Sequence, residues 1–236
     1  MQLVIFDIDG TLTDTNEVDA ECYSQAFADA FGFMATPETW ARYPDRTDSG
    51  IAHYAFKQHL GRPPTGEELD RVKRSFFGLI EEAQRRTPRR FVEIAGAAQA
   101  LSALRQRAGT AIAIATGGWD WSARFKLASA GIAVDGVPAA FADDAMVRSR
   151  IVRAAIARAK AVYAIREFER ITCVGDSSAD VETARAMGLP LVGVGRGGRQ
   201  KRLSELGASC VIADYTDSAG LIALIESASI PGHRNP

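Results

Sequence analysis

Five short apolar runs constrain this chain most. They occupy 3–6, 111–115, 170–174, 191–194 and 210–213, and each ends near an Asp, a Gly or a Thr. Their apolar residues are continuous rather than alternating. Both faces of each run must therefore be covered, which is the pattern of a buried parallel sheet. Helical stretches at 96–106, 123–129, 149–161 and 179–187 separate the later runs. In the third of these, Ile151, Ala155, Ile156, Ala159 and Val162 form one apolar stripe. Strand alternating with helix predicts an α/β open sheet with helices on both faces. Ligands of such sheets bind at the C-terminal ends of the strands.

The first interval breaks the alternation. About a hundred residues separate Phe6 from Ile112 without a run of strand character. Within them, 17–31, 48–59 and 67–85 read as helices, punctuated by Pro37, Pro44, Pro63, Pro64 and Pro88. A connection from strand to helix seldom needs so much chain. The economical reading is an α-helical cap domain at 15–89 inserted into a catalytic core made of 1–14 and 90–230. No internal repeat or low-complexity segment interrupts this plan, and the tail from Pro231 is expected to fray.

Composition narrows the function classes. Hydrophobic residues make up 47% and charged residues 24%, which excludes a disordered chain and a coiled coil. The net charge of −1 removes nucleic acid as a default partner. No apolar run approaches the ~20 residues of a membrane span. The first residues carry no basic start and meet Asp7 at once, so a signal peptide is not expected and a cytoplasmic protein is. Cys22, Cys173 and Cys210 are far apart with no C-x-x-C pair. The last two sit in apolar runs, where a cysteine acts as a small buried hydrophobe.

The chemistry gathers where the runs end. In Asp7-Ile8-Asp9-Gly10-Thr11-Leu12-Thr13-Asp14, two carboxylates two apart follow an apolar strand. In extended chain both point to one side. Such neighbours repel unless a proton or cation sits between them, and Mg²⁺ is the kind of cation that oxygen donors suit. A second string, Gly175-Asp176-Ser177-Ser178-Ala179-Asp180, again places acids between a strand and a helix. Asp176 could complete an oxygen cage with Asp7, while Asp180 falls in the first helical turn, where the helix dipole favours an acid. In Thr116-Gly117-Gly118 a hydroxyl ends a strand, and glycine amides able to approach an anion follow. Trp119 and Trp121 follow closely and could wall the site or pack, and packing is the favoured reading. A phosphate site also needs a fixed cation. Arg148, Arg150 and Lys126 are the candidates, and Arg148, just before a helix, is the choice; Arg150 could equally be an exposed helical residue, and the place of Lys126 inside a helix favours a solvated face.

These pieces, in this order, resemble the haloacid dehalogenase-like hydrolase superfamily, with the phosphoglycolate phosphatase-like members that carry a helical cap closest. The resemblance spans residues 2 to about 214. It implies a Rossmann-like core, Mg²⁺ and a phospho-aspartyl intermediate. Asp7 then matches the nucleophile, and Asp9 the acid that protonates the leaving oxygen and later activates water. The Asp7 side chain, the Asp9 backbone carbonyl and the Asp176 carboxylate match the metal ligands, with Asp180 in support. Thr116 and the Gly117 amide match the phosphate clamp. The family's third motif is a lysine; the matching stretch 143–150 has none, so Arg148 would substitute, as a planar fork rather than a compact ammonium.

An acid at the position of Asp9 separates phosphoryl transfer from attack on carbon in this superfamily. The expected activity is a Mg²⁺-dependent phosphatase acting on a small phosphorylated metabolite, as a monomer or homodimer, without nucleic-acid or membrane partners. A sugar-phosphate mutase of the same fold is the alternative, and a non-catalytic phospho-acceptor module a more distant one. Arg42, Tyr43, Arg46, Thr47 and Asp48 form a polar cluster between two cap helices, readable either as a loop that reaches the leaving group or as a solvated turn.

Overall fold

The computed structural model describes residues 1–40, 42–43 and 45–232; Pro44 and the last four residues of the tail expected to fray lie outside them. All five apolar runs form strands: β1 (Gln2–Phe6), β2 (Thr110–Ala115), β4 (Arg170–Gly175), β5 (Leu191–Val194) and β6 (Cys210–Ile212). A two-residue strand, β3 (Ala139–Ala140), was not expected; it is too short to carry a pattern. The six described strands pair in the order β3-β2-β1-β4-β5-β6, all parallel. This is the Rossmann-like strand order, and it reverses between β1 and β4. Phe6 lies opposite both Ile114 and Val174, so β1, β2 and β4 end side by side.

The helical stretches also form. They are α5 (Ala97–Gln106), α6 (Asp120–Ser129), α7 (Arg148–Val162) and α8 (Ser178–Met187). Two helices near the end of the chain, α9 (Gly198–Glu205) and α10 (Ser218–Ser227), add to them. One face of the sheet packs Val4, Phe6, Ile112 and Ile114 against Leu101, Leu104, Leu221 and Ile225. The other packs Leu3, Ile5, Ala111 and Ala113 against Ile151, Ala155 and Ala159 of the α7 stripe. Covering both faces is what the continuous apolar runs require.

Between β1 and β2 lie α1 (Asn16–Phe31), α2 (Pro37–Trp40), α3 (Asp48–Leu60) and α4 (Gly66–Arg86), then a short 3-10 turn at Pro88–Arg90. Their ends follow ordinary capping chemistry. Gly32 and Gly61 close α1 and α3 in the left-handed conformation, and Thr65 with Glu68 forms a reciprocal capping box on α4. These helices share their own apolar cluster of Val18, Tyr23, Phe27, Phe56, Phe76 and Ile80. Trp119, from the loop after β2, enters that cluster with its ring 5.5 Å from Tyr23. Trp121 is exposed and stacks on Phe125. Cys22 is buried, whereas Cys173 and Cys210 are only half-buried; all three are unpaired. Among the described residues, no helix is long and apolar enough to cross a membrane.

Candidate active site

Asp7 continues β1 by one rung, its N–H donating to the Val174 carbonyl at 3.0 Å. The chain then turns tightly, with the amides of Thr11, Leu12 and Thr13 all donating to the Ile8 carbonyl. Gly10 makes the turn possible. Its φ is +73°, and a Cβ there would lie 2.1 Å from Asp176 Oδ2. Opposite, β4 ends at Gly175 and Asp176, and Ser177 caps α8. Asp180 Oδ2 accepts from the Ser177 amide at 3.0 Å and its hydroxyl at 2.6 Å, closing a capping box. A Cβ on Gly175 would strike the Asp180 carboxylate, which lets that side chain lie back over the strand end.

The result is a buried acidic group. Carboxylate oxygens of Asp7, Asp176 and Asp180 lie within 4.8 Å of one another. Burial, and then the charge of Asp180, pushes Asp7 well above the usual carboxylate range and Asp176 up to about 7. Asp7 Oδ1 is buried without an aligned hydrogen bond. Three crowded, desolvated oxygen donors with one unsatisfied acceptor fit a hard divalent cation such as Mg²⁺.

Arg148, the first residue of α7, lies against the same acids. Its Nη2 is 3.1 Å from both Asp7 Oδ1 and Asp180 Oδ1. The contact with Asp7 is an ion pair by distance, though not aligned as a hydrogen bond. Gly117 admits this arginine, since a Cβ there would meet Arg148 Nη1 at 3.0 Å and the Arg46 carbonyl at 2.8 Å. Thr116 is buried beside it, its amide bonded to the Ala140 carbonyl and its hydroxyl accepting from the Gly118 amide. Arg150 is exposed.

Lys126 departs from expectation. Its side chain is 0% exposed rather than on a solvated face. Lys126 lies in α6, which packs against α4, and its ammonium reaches Asp19 of α1. The ammonium donates to Asp9 Oδ2 at 2.6 Å and to Asp19 Oδ1 at 2.5 Å. Burial works against this charge, but Asp19 and Asp9 outweigh it and hold Lys126 protonated. Thr15 donates to the other Asp9 oxygen at 2.6 Å. The carboxylate of Asp9 is thus held apart from the three-acid group of Asp7, Asp176 and Asp180.

The polar cluster before α3 is not a solvated turn. Thr47 and Asp48 are buried, whereas Arg42 is exposed. The Thr47 hydroxyl donates to the Met146 carbonyl at 2.6 Å, and the Asp48 amide donates to the Gly117 carbonyl at 2.8 Å. Asp48 Oδ2 in turn accepts from the Trp119 amide at 2.8 Å. Burial, then the charge of Asp19, holds the Asp48 carboxyl well above its ordinary range. Arg46 is bent into the left-handed region at φ 46°.

These contacts enclose a cavity of about 150 Å³ over the strand ends. Asp7, Asp9, Thr116 and Arg148 line its floor, and Trp40, Arg46, Asp48 and Ile51 its roof. Trp40 Nε1 and Arg46 Nε are buried donors without a hydrogen-bond partner among the described residues. A larger cavity of about 450 Å³ lies on the other side of Gly10. Its two arginines are already paired, Arg199 with Asp176 at 3.2 Å and Arg196 with Asp214. The smaller cavity, lined by the acids and Arg148, is the candidate active site. Asp19, Trp40 and the buried role of Lys126 escaped the sequence reading, and no local spacing marks them.

A family model for haloacid dehalogenase-like hydrolases matches residues 1–188 of the 236. The chain belongs to that family. Among solved structures, a hydrolase from Pseudomonas syringae shares the fold with a TM-score of 0.71 and 21% identity, over 97% of this chain and 100% of that one. CbbY from Rhodobacter sphaeroides, solved in complex with phosphate, gives 0.62 and 19% over 91% and 95%. A predicted phosphoglycolate phosphatase from Haemophilus somnus gives 0.55 and 17% over 93% and 97%. No functionally curated protein matches the chain. As a member of this family the chain is a hydrolase, and the Rossmann-like fold is what it shares with these structures.

Proposed function

We propose that this hydrolase is a Mg²⁺-dependent phosphatase of small organic phosphomonoesters, working through an aspartyl-phosphate, in the manner of phosphoglycolate phosphatase-like members of the family. The observation that carries the reading is the division of the acids. Asp7 lies with Asp176, Asp180 and Arg148, whereas Asp9, two residues on, is held separately by Thr15 and Lys126. This division supports giving the attack to one acid and the protons to the other.

In the first step a carboxylate oxygen of Asp7 attacks phosphorus and the ester P–O bond breaks. Asp9 gives its proton to the departing alkoxide. In the second step water attacks the phosphorus of the acyl-phosphate and passes a proton back to Asp9. The P–O bond to Asp7 breaks and inorganic phosphate leaves. Arg148, the Thr116 hydroxyl and the Gly117 amide hold the transferred oxygens. Asp7, Asp176 and Asp180, with the Asp9 backbone carbonyl, would hold Mg²⁺, which when bound neutralises charge on the phosphoryl oxygens. On the roof, Trp40, Arg46 and Ile51 line the cavity and would border the leaving group, Ile51 as an apolar wall. A cationic side chain on that roof, Arg46, favours a leaving group that carries an acceptor oxygen. We read the enzyme as cytoplasmic.

Phosphate release from a panel of small organic phosphates, with Mg²⁺ or EDTA, tests this reading. Steady release that EDTA abolishes and Mg²⁺ restores is expected. A substrate that is isomerised without net phosphate release would make the chain a mutase, and full activity in EDTA would remove the metal.

A further inference from the structure

We infer that Lys126 is a positioning residue for Asp9, and that Asp19 is the counter-charge that lets it serve; the inference rests on the proton-handling role proposed for Asp9. Three segments distant in sequence meet at one ammonium. Lys126 comes from α6, Asp9 from the turn after β1, and Asp19 from the first helix of the inserted segment. The ammonium is 0% exposed, and an unpaired charge in that place would be strongly destabilising.

A structural ion pair needs only one of the two acids. Asp19 alone would neutralise Lys126, yet the nitrogen also reaches Asp9 Oδ2 at 2.6 Å. The Thr15 hydroxyl takes Oδ1 at 2.6 Å, so the two contacts fix the plane of the Asp9 carboxylate. Without Lys126, Asp9 would face Asp19, with Asp48 nearby, and like charges would push it off Thr15. Without Asp19, the ammonium would pair with Asp9 alone and bind it more tightly. With both present, the ammonium stays neutralised when an oxygen of Asp9 turns to the leaving group, so Asp9 is aligned without being locked.

The test compares an alkyl phosphate, a poor leaving group, with nitrophenyl phosphate, a good one. Lys126→Met is expected to lower kcat on the alkyl ester roughly ten- to a hundred-fold, the lower part of the range for acid–base catalysis. The loss on the nitrophenyl ester should be several-fold smaller, with KM little changed on either. In an Asp9→Asn background the same change should add almost nothing, because the residue it positions is gone. Equal losses on both esters, or a loss that multiplies with Asp9→Asn, would overturn the inference and leave Lys126 structural. If Lys126→Met does not fold, Lys126→Met/Asp19→Asn keeps the net charge of the cluster and gives the same comparison. A thermal-stability cycle over Lys126→Met and Asp9→Asn reads the contact without turnover. A coupling of about 2 °C or more is expected, and strict additivity would overturn the inference. A wild-type protein that releases no phosphate sinks the proposed function instead, and the stability cycle still decides whether Lys126 holds Asp9.

Discussion

The guanidinium of Arg148 lies 3.1 Å from the carboxylate of Asp7, with both side chains buried. An incoming phosphate dianion would otherwise meet the charge of Asp7 with only a metal between them. Losing a charge-assisted contact of this kind costs about 1.5 to 3 kcal/mol, or roughly ten- to a hundred-fold in rate. Arg148→Ala should show that loss in kcat/KM, and Arg148→Lys should recover part of it. Arg150→Ala, on the exposed side of α7, should stay near wild type. A crippled Arg150→Ala beside an active Arg148→Ala would show that the wrong arginine faces the phosphate.

Gly10 and Asp176 are packed so closely that the turn after β1 tolerates no side chain. Gly10→Ala would place a methyl carbon 2.1 Å from Asp176 Oδ2 at a φ of +73°. The variant should lose several degrees in Tm and most of its activity, because both the backbone and an acid must move. A Gly10→Ala protein with wild-type Tm and rate would mean that this turn relaxes freely.

The pH dependence of stability follows from Asp176, whose pKa is raised to about 7 by burial and by Asp180. A carboxyl raised in the folded state binds its proton more tightly there than in the unfolded chain. Its contribution is therefore complete below about pH 3.8 and is lost as pH rises through about 7. Without metal, this group should lower Tm between pH 5 and 8, and Asp176→Asn should flatten that fall. Mg²⁺ should raise Tm more at pH 8 than at pH 5. Melting curves in EDTA and in Mg²⁺ across this range check the sign. A Mg²⁺ effect that is larger at pH 5 would contradict the placement of the metal among these acids.

Asp48 and Arg46 come from the inserted segment yet line the cavity roof. Arg46→Ala should raise KM for esters whose leaving group carries an acceptor oxygen and should change nitrophenyl phosphate hydrolysis little. Steady-state kinetics on the two substrate types separate the effects. An equal loss on both would place Arg46 on the transferred phosphoryl group.

The sheet was legible because strands covered on both faces must be apolar at every position. Asp7, Asp9 and Asp176 were legible because they interrupt such runs at their ends. Elements without a pattern stayed hidden. β3 has two residues, and α9 buries only Leu203. The face of α6 that carries Lys126 is periodic, but periodicity does not say what lies on that face. Asp19, which turns it into a buried ion pair, is 107 residues away. Trp40 and Arg46 matter because they line the cavity, a property of the assembled molecule rather than of any spacing.

The central claim is that Asp7 carries the phosphoryl group. The most direct measurement is mass spectrometry of acid-quenched protein after brief exposure to nitrophenyl phosphate and Mg²⁺. Asp9→Asn is the form to use, because it keeps the nucleophile but slows hydrolysis of the acyl-phosphate. The account predicts the added mass of one phosphoryl group, localised to Asp7 by fragmentation and absent from Asp7→Asn. A phosphoryl group on another residue, or an Asp7→Asn protein that turns over at the wild-type rate, would contradict it.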